Sequence, residues 1–282
     1  LSGDERLIDL SLDELGLRDC KEVATPGVTY RSEDDDDVLD EDGKATFMRQ
    51  VGRLLYIAQD RCDVQFATKS VARCMQRPTA SNFTAMKRIY RYLSSRKVLT
   101  YTYDVTEFDL TQPTAYVDSD WAGDAKTRRS TSGVVIMVGS AIITTSSRTQ
   151  TTVALSSAEA ELLAMTSGVV DLLFLRNILR EVGLTGVIAT MHSDSQAALD
   201  ALRRGGVGKM KHIAIRSLFL SSLVKTGAVI VKKVKGEDNV ADILTKHVPS
   251  TILTKLMGYL AVAMNWTTKT KGADEELEED DG

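Results

Sequence analysis

Two carboxylates, Asp118 and Asp120, stand at the end of a short apolar run in Tyr116-Val117-Asp118-Ser119-Asp120-Trp121. The run is β-prone, so it predicts a strand that delivers Asp118 at a sheet end, fixed by backbone pairing, where α/β proteins place chemistry. A rigidly held carboxylate suits a metal ion. A single Asp after a strand equally serves to close a turn, and for one residue alone that reading stays open. Three further acids fall at element junctions: Glu161 near a helix start, Asp194 after the apolar run 187–191, and Asp242 in Asn239-Val240-Ala241-Asp242. Four separated carboxylates could converge on divalent metal, because hard cations prefer oxygen ligands.

The elements that must bring them together follow from pattern. Val134-Val135-Ile136-Met137-Val138 and Ala141-Ile142-Ile143-Thr144-Thr145 read as a hairpin joined by Gly139-Ser140, a pair suited to a tight turn. Ser156-Ser157-Ala158-Glu159 fits a capping box, which gives Glu159 a structural task at the helix start and leaves Glu161, two residues on, to point elsewhere. That helix runs on to Gly183, with a bend or break expected at Ser167-Gly168. Asp194 follows a strand at 187–191, with Ser195 as N-cap of the next helix, although Asp194 could itself be the cap. A last strand at 229–234 precedes a final helix capped by Asn239, with Asp242 in its first turn, where a capping role competes with chemistry. Asp120 and Asp124 are assigned to the turn after the first strand, Trp121 to packing and His192 to a strand end.

The order strand, hairpin, helix, strand, helix, with these four acids, resembles the ribonuclease H fold. Tyr-Val-Asp-Ser-Asp-Trp-Ala-Gly-Asp at 116–124, Arg129-Ser130-Thr131-Ser132-Gly133, Ala154-Leu155-Ser156-Ser157-Ala158-Glu159-Ala160-Glu161, Lys211-His212-Ile213 and Ala241-Asp242-Ile243-Leu244-Thr245-Lys246 are similar to the ribonuclease H region of copia-type LTR retrotransposon polyproteins. The likeness covers about residues 20–250. It implies an α/β fold with a mixed five-stranded sheet flanked by helices, preceded by a small helical connection module. It further implies hydrolysis of the RNA strand of an RNA:DNA hybrid with two Mg²⁺ ions, Mn²⁺ being a possible substitute. Asp118, Glu161, Asp194 and Asp242 would be the ligands and catalytic acids, and a reverse transcriptase region of the same polyprotein the partner. A decayed copy that keeps only binding or scaffold capacity is the alternative. Leu162 stands where the family usually has an aromatic residue, and the loop Lys235-Gly236-Glu237-Asp238 lacks the His of bacterial-type relatives. The implied location is intracellular, in a cytoplasmic virus-like particle and also the nucleus.

Charge supports a phosphate-bearing partner. The net charge of −4 over 282 residues conceals two acidic runs, eight acids in 33–42 and seven in 273–282, neither with a base. Setting those fifteen aside leaves 24 acids against 35 bases, an excess suited to meeting a nucleic-acid backbone, with a mixed solvated surface as the plain alternative. Lys209, Lys211, His212 and Arg216 gather at one helix start, and Lys87, Arg88 and Arg91 on another helix; both groups are candidate backbone contacts. The expected organisation is a remnant and acidic loop at 1–43, a three-helix connection module at 44–97 with Cys62-Asp63 between its first two helices, the ribonuclease H-like domain at 98–250 led in by a strand and turn at 98–112, and a short helix with an acidic tail at 251–282. The acidic loop and tail are expected to pack against nothing. No uninterrupted run approaches 18 apolar residues, so no membrane partner is expected. The start, Leu1-Ser2-Gly3-Asp4, suggests a piece of something longer. Cys20, Cys62 and Cys74 share no metal-ligand spacing and suit a reduced compartment. The sequence leaves the oligomeric state open.

Overall fold

The computed structural model describes residues 5–29, 37–101, 109–204, 214–260 and 262–263. Four helices come first: α1 (Glu5–Glu14), α2 (Glu41–Ile57), α3 (Cys62–Ala72) and α4 (Ala80–Ser94). Each has one apolar stripe at helical spacing. In α2 it is Phe47, Val51, Leu54 and Ile57, all buried. The described part of the acidic run, expected to pack against nothing, is structured: Val38 bridges Thr79, and Asp40 caps α2 by accepting from Gly43 N. Glu41 and Asp42 fall in the first turn of α2, where the helix dipole favours negative charge, so α2 starts ahead of the expected Lys44. Thr79 and Asn82 form a capping box on α4.

The strands are β1 (Thr100–Tyr101), β2 (Pro113–Asp120), β3 (Thr131–Val138), β4 (Ala141–Thr149), β5 (Ala189–Ser193), β6 (Val229–Lys233) and β7 (Val262–Ala263). Five of them form a sheet in the order β4-β3-β2-β5-β6. The pairs β4–β3 and β3–β2 are antiparallel, while β2–β5 and β5–β6 are parallel. A meander of three strands followed by two parallel strands is the ribonuclease H-like arrangement, and here its first strand lies at the centre. Among the described residues of 98–112, read from sequence as a strand and turn leading into this sheet, β1 pairs instead with β7 in a separate two-stranded ladder. The Gly139-Ser140 turn joins β3 to β4 with Gly139 at φ +57°, a conformation that glycine adopts without steric cost.

Helix α5 (Ser157–Glu181) lies across β2 and β3, and α6 (Gln196–Arg204), α7 (Ala214–Lys225) and α8 (Ser250–Tyr259) complete the set. Of the bend or break expected at Ser167-Gly168, the break does not occur: α5 is continuous through it. Gly168 is there for proximity, since a Cβ would stand 2.6 Å from Val117 Cγ1 on β2. The helix is apolar on average although polar residues interrupt it. An 18-residue window of α5 has mean hydropathy 1.6, enough by length and composition to cross a bilayer, and 44% of that window is buried as a core helix of this fold.

Two cores result. One joins α1–α4, α8 and the segment 240–244 to Val135 and Met137 of β3; the other joins α5, α6 and Leu220 of α7 to Val117, Val134, Ile136 and Met191. With both faces covered, β3 is buried along its whole length, whereas edge strand β4 leaves Ile143 half exposed.

Candidate metal centre and nucleic-acid interface

Backbone pairing places the first two acids. Asp118 lies on β2, in register with Gly133 of β3, and Val117 beside it is paired with Ser193, the last residue of β5. Asp194, one step on, therefore leaves the sheet next to Asp118, and its own carbonyl accepts from Lys233 Nζ. Asp242 arrives differently from expectation. The segment after Asn239 is a five-residue 3-10 turn, Val240–Leu244, and the regular helix begins only at Ser250. Asn239 still caps it, accepting from Ala241 N at 3.3 Å, and its Nδ2 donates to Val117 O at 3.0 Å, which ties the turn to the strand carrying Asp118. Gly133 gives it room: a Cβ there would meet Ala241 O at 2.8 Å and Thr245 Cγ2 at 2.7 Å. Bending as a 3-10 turn lets five residues pack between sheet and α8, with Val240 to Leu244 all buried.

The outcome is a triad. Carboxylate oxygens of Asp118, Asp194 and Asp242 all lie within 4.8 Å of one another. Glu161 stands beside the triad on the second turn of α5, its Oε1 accepting from Ser119 N and Ser119 Oγ, each at 3.1 Å. Its neighbour Glu159 keeps to the helix start, with Oε2 accepting from Leu155 N at 3.1 Å while its own N–H donates to Ser156 Oγ.

These acids are held against their preferences. Burial pushes the Glu161 carboxyl up to about 8, with Asp118 and Asp194 adding like charge. Burial and then Asp118 push Asp242 up to about 7, against the opposing pull of Lys246. Asp118 is raised by burial, which outweighs a hydrogen bond from Thr245 and the charge of Lys246. Glu161 Oε2 and Asp242 Oδ1 are buried with no hydrogen-bond partner, an expensive state for a carboxylate oxygen. Unpartnered hard oxygens in a like-charged cluster fit a divalent cation, which would satisfy both defects together.

Two residues that the sequence quoted without a role belong to the site. Thr245 Oγ1 donates to Asp118 Oδ2, and Lys246 Nζ lies 2.8 Å from Asp242 Oδ2. The i, i+3 and i, i+4 spacing from Asp242 was the available signal. Asp120 accepts from Thr131 N, Asp124 accepts from Lys126 N and pairs with Arg73, so both serve the turn after β2. Trp121, expected to pack, is 54% exposed, with its indole N–H donating to Ala154 O. His192 stacks on Tyr116 at 4.9 Å.

The basic residues divide. Lys209, Lys211 and His212 lie outside the described residues. Arg216 is exposed on α7 and lines a cleft with Arg148, Ser132, Thr149, Gln150 and Thr151, at the edge of β3 and β4. On α4, Arg88 donates to Thr25 Oγ1 at 3.1 Å and Arg91 to Lys21 O at 2.9 Å, which binds segment 20–29 along the helix. Lys87 Nζ sits 5.0 Å over the ring of Phe83. Arg148 was not singled out by sequence, since a lone Arg on an edge strand carries no spacing signal.

No family model matches the chain. It is 30% identical over 255 residues to a "Retrovirus-related Pol polyprotein from transposon TNT 1-94" of Nicotiana tabacum, which covers 87% of this chain and 19% of that protein. It is 30% identical over 214 residues to the corresponding RE1 polyprotein of Arabidopsis thaliana, covering 75% and 14%, and 31% identical over 198 residues to that of RE2, covering 70% and 14%. Among solved structures, a ribonuclease H1 isolated from compost by a metagenomic approach aligns over 52% of this chain and 99% of its own, with 15% identity and a TM-score of 0.38. So loose a superposition carries no weight, and strand order is what defines the fold. The chain thus spans under a fifth of the length of the polyproteins it matches, while the match runs over most of its own residues: its homologues at 30% identity over most of the chain are retrovirus-related Pol polyproteins of plant transposons.

Proposed function

We propose that this chain hydrolyses the RNA strand of RNA:DNA hybrids as the ribonuclease H portion of a longer polyprotein. The observation that carries this is the meeting of Asp118, Asp194 and Asp242 from three separate elements within 4.8 Å, with Glu161 beside them. Asp242 and Glu161 each keep a buried oxygen without a partner, so these two with Asp118 and Asp194 would hold a pair of divalent ions, Mg²⁺ or Mn²⁺. Such a pair supplies a water activated near neutral pH and charge stabilisation for the departing oxygen. The protein's own part is to hold four acids close despite repulsion and to keep Asp118 oriented through β2 and Thr245. Arg148 and Arg216, in one cleft with Thr149 and Thr151, supply cations and hydroxyl donors for a phosphate backbone.

Incubation of the chain with a labelled hybrid over a range of Mg²⁺ and Mn²⁺ tests the reading. Cleavage of the RNA strand alone is expected. Binding without cleavage at every metal concentration would leave a non-catalytic, decayed copy. The double variant Arg148→Ala/Arg216→Ala is expected to weaken hybrid binding and to reduce its salt dependence by about two counterions, while leaving metal binding intact.

A further inference from the structure

Resting on that reading, we infer that Lys246 is an internal counter-ion of the acid cluster that competes with the divalent ion for Asp242. Its ammonium lies 2.8 Å from Oδ2 of Asp242, four residues earlier in the chain. The Lys246 side chain is 52% exposed and that of Asp242 only 12%. The ion pair thus joins a mobile partner to a fixed one. Thr245, immediately before it, donates to Asp118 Oδ2. Two consecutive side chains therefore each cover one oxygen of a different acid in the triad, while the other oxygen of Asp242 stays without a partner. They differ in what leaving would cost. Thr245 is fully buried, so its hydroxyl is committed to the interior, whereas Lys246 can swing its flexible four-carbon stem into water and be solvated there.

The consequence concerns metal loading. With Lys246 in place, one unit of the like-charge repulsion is already cancelled and one of the two oxygens of Asp242 already has a cation. A divalent ion arriving alone meets that cation on the same carboxylate, whether it takes the free Oδ1 or displaces Lys246 from Oδ2, and the affinity of the acids for that ion is lowered accordingly. An incoming phosphate offers the ammonium another anion, so loading of the ion and arrival of the backbone favour one another. Lys246 is on this account a positioning residue, acting through Asp242.

The experiment is titration calorimetry of the 282-residue chain with Mg²⁺, repeated with Mn²⁺ by the EPR signal of the free ion, for the parent, Lys246→Met, Lys246→Gln and Lys246→Arg, in the absence of nucleic acid. Removing the cation is expected to tighten divalent-ion binding by roughly twofold to fivefold, the range that a half-exposed ion pair commands. Lys246→Arg should stay near the parent. Thermal unfolding should show both neutral variants less stable than the parent without metal, with the gap closed at saturating metal. Unchanged or weaker metal binding in both neutral variants would overturn the inference. So would a stability loss that persists at saturating metal, which is what a merely structural lysine would give. A parent that binds no divalent ion would instead overturn the proposed function. A fall in hybrid affinity with metal affinity unchanged would make Lys246 a backbone contact and overturn its role as competitor.

Discussion

Two groups of buried carboxylates sit in one molecule and live under opposite conditions. Asp63, in the first turn of α3, is gripped by Arg61 through Nε at 2.9 Å and a second guanidinium nitrogen at 2.7 Å, and accepts from Tyr92 at 2.9 Å. Burial alone would raise its pKa, yet the Arg61 charge, its hydrogen bonds and that of Tyr92 hold it below the ordinary value. Arg61 is satisfied in turn by Arg96 O at 2.7 Å. Around Asp118 burial wins: like charges gather, two oxygens go without partners, and carboxyl pKa values rise. The first arrangement is complete in itself and holds α3, α4 and the chain after α4 together. The second is complete only with something positive added, and that incompleteness distinguishes a site from a strut.

The largest effect expected from this contrast is on turnover. Asp118→Asn removes charge from the triad with almost no change in volume, so Mg²⁺-dependent cleavage of a labelled hybrid should fall by several orders of magnitude. Circular dichroism should show an intact fold, and the metal-free variant should unfold at or above the parent's temperature. The same exchange of roles fails at Asp63. Asp63→Ala strands a buried guanidinium, and urea denaturation should show a loss of about 3–5 kcal/mol. If Asp63→Ala proved neutral while Asp118→Asn unfolded the chain, the contrast would be reversed.

An intermediate effect is expected at Gly168→Ala. With Val117 Cγ1 2.6 Å from the added carbon, α5 must move off β2, costing about 1–3 kcal/mol by the usual scale of overpacking. Because α5 carries Glu161 and β2 carries Asp118, cleavage should decline more than stability implies. Equal decline in both would mean that the spacing of helix and strand does not set the site.

The smallest effect is a slope with pH. A carboxyl whose pKa is raised by folding holds its proton more tightly in the folded chain. Its contribution is fully present below the unfolded value, 4.5 for Glu161 and 3.8 for Asp242, and is lost as pH climbs towards about 8 and about 7. Asp63 has the opposite sign: its contribution is present above 3.8 and is lost only as pH falls below that. Stability measured without metal should therefore decline from pH 5 to 8, saturating Mg²⁺ should flatten the decline, and Asp63→Asn should leave the slope as it was.

Sequence conveyed the sheet well because its strands are written in two ways: alternation and β-branched runs for the hairpin, and acids at strand ends for β2 and β5. Asp118 and Asp194 stood out as candidates for that reason, Glu161 and Asp242 through the family motifs that contain them, and Glu159 was separable from Glu161 by its capping-box spacing. What escaped depended on partners distant in sequence. Gly168 reads locally as a helix breaker, and only Val117, fifty-one positions earlier in the chain, shows it to be a contact point. Cys62-Asp63 reads as a gap between helices until Arg61 and Tyr92 are seen to bury the acid inside α3. Arg88 and Arg91 look like free cations on a helix surface, yet segment 20–29 supplies their acceptors. Asp242 lay in a turn too tight for the 3.6-residue period to describe.

The small ladder of β1 with β7 joins Thr100 to Ala263 and Tyr101 to Val262. The chain thus leaves the sheet region beside the point where it entered. A segment whose two ends meet can be joined to a longer polypeptide at one place on its surface without pulling its strands apart, whereas lifting it out would uncover the face of β3 on which α1–α4 pack.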